Sequence, residues 1–194
     1  MDAYALLTNV GRLYIAPVGT EFPDLTETPA SPWRDLGDTQ EGVDVNSDDK
    51  IELVRTDQRT GPVKATRVDE TVVVKTKLAE ATLENLKDAL GVGVTDTAPE
   101  VGTIGTREIP LHRGSVVAEF ALLFRGDSPY GAFPAQYELP RAYCDEAGTI
   151  KYDKGKNVPV VVTFKCLEDL NATYESERYG RLIAQDAAAL PEEE

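Results

Sequence analysis

The side chains able to do chemistry in this 194-residue sequence are few and scattered. There is one histidine, His112, beside Arg113 and Gly114 at an expected hairpin turn. A Ser-His-Asp triad would have to use it, and no Gly-x-Ser-x-Gly elbow precedes any serine. The two cysteines, Cys144 and Cys166, make neither a metal-ligand cluster nor a disulfide framework. Cys166 shares its parity with Val158, Val160, Val162 and Phe164, which predicts a small hydrophobe facing a core. Both thiols are expected to be free, in a reducing compartment. The 34 Asp and Glu residues make carboxylate pairs available everywhere, so no pair points to glycosidase chemistry. Asp44, Asn46, Asp48 and Asp49 resemble a calcium loop only faintly. The glycine at its sixth position and the bidentate Glu at its twelfth are missing in register. Gly91-Val92-Gly93 follows an expected helix instead of preceding one, so it is no phosphate loop. The sequence therefore predicts no catalytic, cofactor-binding or metal-ligating residues, and no enzyme.

The elements that remain belong to a single domain. Hydrophobic residues make up 41% of the chain, enough to build a core. A formal net charge of −14 argues against a nucleic-acid clamp, which needs Lys and Arg to displace counterions. The same charge argues against binding an anionic membrane surface. Met1-Asp2-Ala3-Tyr4 lacks the basic start and following apolar run of a signal peptide, and no segment is apolar enough for a membrane span. The expectation is cytoplasmic synthesis without insertion into a membrane.

Residues 11–18 alternate loosely and predict a first strand. Residues 21–32, with Pro23, Pro29 and Pro32, predict a loop. Short extended pieces are expected at 33–36, 42–45 and 51–54, with a polar turn at 46–49. Trp33, the only tryptophan, fits a core anchor at the mouth of a strand. Residues 71–78 form the firmest strand, with Val72, Val74 and Leu78 on one face and Lys75 and Lys77 on the other. A helix over about 82–90 follows. Thr82 is its N-cap, Glu84 suits the positive end of its dipole, Leu83, Leu86 and Leu90 form a stripe, and Gly91 stops it. Residues 91–105 read as a linker. Further strands are expected at 108–111, 116–124, 136–143, 158–167 and 179–185. Val116, Ala118, Phe120, Leu122 and Phe124 supply one apolar face. Many short strands, one helix and no βαβ rhythm predict a mainly β fold, an antiparallel sandwich or barrel with one flanking helix.

Two features exceed what a plain domain needs. The first is a long extended loop over residues 41–64, too polar and too long for an ordinary hairpin connection. An arm that orders against a neighbouring subunit would use it, through Glu41, Asp44, Asp48, Asp49, Arg55, Asp57, Gln58 and Arg59. The second is acidic residues on strands. Asp44, Glu52 and Glu119 belong either to a solvated outer face or to a sheet face turned toward an aqueous lumen.

Several phrases occur in a telling order. Trp33-Arg34-Asp35-Leu36-Gly37 precedes Glu41-Gly42-Val43, then Asp57-Gln58 and Pro62-Val63. Next come Leu78-Ala79-Glu80-Ala81-Thr82-Leu83-Glu84-Asn85-Leu86 and Gly91, and later Leu139-Pro140-Arg141-Ala142, Tyr152-Asp153-Lys154-Gly155 and Val158-Pro159-Val160. This order resembles the major tail tube proteins of long-tailed bacteriophages over roughly residues 11–171. The resemblance implies a single tail-tube domain with core 11–171, an inter-ring arm at about 41–64 and a C-terminal extension at 172–194. It implies hexameric rings that stack head to tail around a tape-measure protein, with tail-end proteins as further partners. DNA would pass through the tube without specific binding, and an acidic lumen would repel it. The location implied is the virion tail, after synthesis in the host cytoplasm. A tube of a contractile tail or secretion-type injection particle has the same fold. A monomeric β-sandwich binding module, an adhesin or carbohydrate-binding domain, is the alternative of a different class. Both termini are expected to order on the next ring.

Overall fold

The computed structural model describes residues 11–130, 133–147, 154–155 and 158–185. The expectations for both chain ends and for Tyr152-Asp153 lie outside these residues.

The fold is mainly antiparallel β with one short α-helix. In chain order the elements are β1 (Arg12–Ala16), β2 (Arg34–Asp35), β3 (Thr39–Val54), β4 (Lys64–Leu78), α1 (Leu83–Leu90), β5 (Thr95–Thr97), β6 (Thr106–Glu108), β7 (Glu119–Gly126), β8 (Ala135–Ala147), β9 (Val160–Cys166) and β10 (Arg181–Ile183). The large sheet runs β2-β1-β7-β8-β9-β4-β3, and β10 pairs with β8. Strand β8 joins its two halves. Its first part pairs with β7 and β10, and its second part with β9. A bulge at Pro140 and Arg141, which together oppose Ala121, breaks the register between those parts. Proline cannot donate to the ladder and is tolerated at such a bulge.

The two halves close on one sandwich-like core. Leu13, Ile15, Leu36, Phe120, Leu122 and Leu139 of one half meet Val74, Leu78, Val160, Val162, Phe164 and Cys166 of the other. Phe120 and Phe164 pack edge to face at 5.4 Å, the favoured aromatic geometry. Alternation along β9 buries Val160, Val162, Phe164 and Cys166 together, as the parity predicts.

Helix α1 forms where its caps predict. Asn85 N–H donates to Thr82 Oγ1 at 3.3 Å. Gly91 adopts φ 65°, and Val92 N–H reaches back to Lys87 O at 3.1 Å. The reverse face of β1 and β7 is covered by the predicted loop. There Trp33 packs with Phe22 at 5.1 Å over Ala121 and Leu123, and its Nε1–H donates to Glu21 O at 2.9 Å. A polar network that the sequence does not foreshadow pins the same loop. Buried Gln136 donates to Pro23 O (2.8 Å) and to Glu138 Oε1 (2.6 Å), while Arg125 donates to Gln136 Oε1 (2.6 Å) and Asp24 O (2.7 Å).

Four sequence expectations need correction. Residues 46–49 are no turn, because β3 runs unbroken as a strand to Val54. Residues 91–105 are more than a linker, because β5 and β6 make a small hairpin of their own. No strand runs over 108–111, because β6 ends at Glu108, and His112, expected at a hairpin turn, lies in the irregular segment between β6 and β7. Val116 and Val117 are exposed, so the apolar face of β7 begins at Phe120.

Candidate functional site

The expected long loop is a β-hairpin. Strands β3 and β4 pair from Thr39↔Leu78 to Val54↔Lys64, and the tip carries Gly61-Pro62. Every residue from 46 to 70 is exposed, so the ribbon projects from the described body into solvent. This explains why the sequence hides it. A two-stranded ribbon bathed on both faces needs no apolar alternation, and without alternation a strand reads as loop.

Two irregularities shape the arm. At its base Glu41 (φ 68°) and Gly42 (φ 81°) bulge out of the register between Gln40 and Val43. Thr76 Oγ1 fixes this bulge by donating to Gly42 O at 2.8 Å, and Lys77 pairs with the Glu41 carboxylate. Halfway along, Val68 is the extra residue between Lys50↔Asp69 and Ile51↔Arg67. Such bulges bend a ribbon and increase its twist.

The arm candidates divide between faces. Asp44 and Asp48 sit on one face of β3, opposite Lys75 and Thr71. Asp49 lies on the other face, where its carboxylate accepts from Arg67 at 3.1 Å. Arg55, Asp57, Gln58 and Arg59 form the tip, and Arg55 donates to Thr60 O. Because Asp44, Asn46 and Asp48 are strung along one face of an extended strand and Asp49 lies on the other, they cannot wrap a cation as a calcium loop would. Among the described residues, no cluster of three or more His, Cys, Asp or Glu is arranged to hold a metal.

The lumen candidates are brought onto one sheet face. Directly opposed pairs run Asn46↔Val73↔Lys165↔Tyr143↔Glu119 across five strands. Opposed residues point the same way, so Glu119 of β7 shares a face with Asp44 and Asp48 of β3. Glu52 has the same parity on β3 but lies out on the arm. This face is not simply acidic. Lys75, Lys77 and Lys165 stand among its carboxylates. Arg141 holds Glu119 with two bonds of 2.6 and 2.9 Å, and Lys165 holds Asp145 at 2.8 Å. The Arg141 bonds also lower the Glu119 pKa from its ordinary value.

Sequence reasoning missed two further surfaces. Beyond the β5–β6 hairpin, Val101 and Ile104 are almost wholly exposed at its tip, and Leu111 and Val116 follow on the way to β7. A groove of about 440 Å³ lies between the end of β1, the C-terminus of α1 and the start of β7, lined by Ile15, Pro17, Val92 and Phe120 with Arg34 and Lys87 at its walls. Runs of Gly, Thr and Pro with single apolar residues carry no period, which is why the first of these reads as linker.

The hairpin stands at the edge of the large sheet, where an unpaired strand offers free backbone groups to another chain. A family model described as phage tail tube protein matches residues 2–187. The chain belongs to that family. It is a structural component of the phage tail, and the mainly β sandwich with one flanking helix agrees with the sequence reading. No curated protein matches it. No helix among the described residues is long and apolar enough to cross a membrane.

Proposed function

We propose that this chain is the repeating subunit of the tail tube, with six copies forming a ring and rings stacking head to tail into the conduit for DNA ejection. The observation that carries this reading is the hairpin whose residues 46–70 are all exposed. A self-contained domain gains nothing from ordering so long a ribbon in water, since isolated two-stranded hairpins are marginal. A neighbouring subunit supplies the missing contacts, and Glu41, Asp44, Asp48, Asp49, Arg55, Asp57, Gln58 and Arg59 are the contact residues proposed for it.

Among the described residues β3 is the terminal strand of the sheet, and only β4 pairs with it. Side-by-side joining of six sheets would cover such edges and close an inner barrel. The face carrying Asp44 and Glu119, with Glu52 further out, would then line the lumen. Its carboxylates repel phosphates over about 8 Å at physiological salt, so DNA passes without specific binding. A tape-measure protein and tail-end proteins are the other partners proposed, and the subunit performs no catalysis.

Negative-stain microscopy of the purified chain at high concentration, beside particles from its host, tests the reading. Rings or hollow tubes of matching width are expected. A monodisperse monomer that binds glycans would overturn it. A sheath protein around the tube in the same particle would assign it to a contractile tail instead of a long flexible one.

A further inference from the structure

The charge of this chain is divided between its parts. Between Lys50 and Arg67 lie five cations, Lys50, Arg55, Arg59, Lys64 and Arg67, and two carboxylates, Glu52 and Asp57. Residues 50–67, the outer part of the arm, thus carry +3 in a chain of −14, which leaves −17 on the rest; Arg67 is paired with Asp49 and Glu70, which lie just outside that span. Lys50, Arg59 and Lys64 have no ion-pair partner among the described residues. The same ribbon bears an unpartnered apolar face. Ile51 and Leu53 of β3, Val63 just before β4 and Val68 at the bulge are each about half exposed, and Ala65 opposite Leu53 is exposed as well.

The other end of the same ladder has the opposite sign. There Thr39 pairs with Leu78, and Asp38 and Glu80 flank that last pair. The Glu80 carboxyl lies so near Gly37 that a Cβ on Gly37 would meet it at 3.1 Å. Glu80 has no cation partner among the described residues, and Asp38 has only Arg12, at 3.6 Å. One pair of strands therefore ends in cations at its tip and in carboxylates at its root.

We infer that the cationic arm tip of one copy seats on the Asp38–Glu80 pole of a second copy, with Ile51, Leu53 and Val63 buried against that copy. This inference rests on the tube reading and adds the polarity of the joint. Opposite signs at the two ends of one ladder favour a head-to-tail contact, which does not close and so propagates into a filament. They oppose tip-to-tip and root-to-root pairing, where like charges would meet. An anionic chain that must attract copies of itself needs such a local reversal of sign, because its net charge repels them.

The test is self-association of the whole chain by sedimentation, across concentration and salt, for four forms. These are the natural sequence, an arm reversal (Arg55→Glu, Arg59→Glu, Lys64→Glu), a pole reversal (Asp38→Lys, Glu80→Lys) and the combination of both. Each reversal alone should raise the concentration for half-maximal association roughly tenfold or more, because attraction between the two poles becomes repulsion. The combination should return to within about threefold of the natural chain, because the attraction is restored with its signs exchanged. Association of the arm reversal at the natural concentration would overturn the inference and leave the tube reading standing. Failure of the combination to recover would overturn the assignment of the pole. A natural chain that stays monomeric throughout would overturn the tube reading itself. Circular dichroism of each form, at unchanged melting temperature, separates these outcomes from misfolding.

Discussion

Asn85 is a polar residue at a core position, and its bonds explain why. Its Nδ2 donates to Leu36 O at 3.1 Å and Glu80 O at 3.0 Å, and its Oδ1 accepts from Arg34 at 2.9 Å. One amide thus ties α1 to the entry of β3 and the exit of β4. Asn85→Ala should cost about 2–4 kcal/mol in urea unfolding, since two buried carbonyls lose their donor. Gly91→Ala should be destabilising too, because φ 65° strains an alanine and its Cβ would lie 2.9 Å from that of Ala118. The cysteines give a prediction in pH. Burial pushes the Cys144 thiol up to about 11 and the Cys166 thiol up to about 12. A raised folded pKa favours the protonated folded state, so this contribution is whole below pH 9 and falls as pH rises toward 11–12. Both thiols should resist alkylation at pH 8 in the folded chain and react on unfolding. Alkylation of Cys166 in native conditions at the rate of a free thiol would contradict its placement in the core.

At the scale of elements, the sequence is legible where burial imposes a period. The alternating strands at 71–78 and 158–167, the caps of α1 and the proline-rich loop appear where they are expected, whereas the helix buries Asn85 and Ala89 and leaves Leu83, Leu86 and Leu90 only partly buried. The distal half of the β3–β4 hairpin was not legible as continuous strand, because it buries little and so shows no period. The candidate site suffers most from this, since its residues are chosen for a contact outside the chain. The facing of Asp44 and Glu119 was also out of reach. It depends on the register of five strands and on two bulges, which no local pattern encodes. The contrast between buried and exposed strand can be measured. Leu122→Ala, in a fully buried position of β7, should cost about 3 kcal/mol. Ile51→Ser with Leu53→Ser, on the arm, should leave the unfolding midpoint of the unassembled chain within about 0.5 kcal/mol of the natural one. A large loss from the arm pair would mean that the ribbon packs on its own body.

At the scale of the molecule, charge and shape act together. The body is acidic, the arm tip is basic, and the sheet face with Asp44 and Glu119 mixes carboxylates with lysines. If that face lines a lumen, neutralising Asp44, Glu52 and Glu119 together should slow DNA ejection from particles, with a larger effect at low salt where screening is weaker. Unchanged ejection across the set would remove these carboxylates from the role. The central claim is that the arm joins one ring to the next. Its most direct test is cryo-electron microscopy of two chains, the natural one and one with residues 50–67 replaced by an Asn-Gly turn. The natural chain should form hollow tubes with a regular axial repeat, and density for the arm should bridge successive rings. The shortened chain should keep its melting temperature and stop at isolated rings. Tubes of the same repeat from the shortened chain would contradict the account.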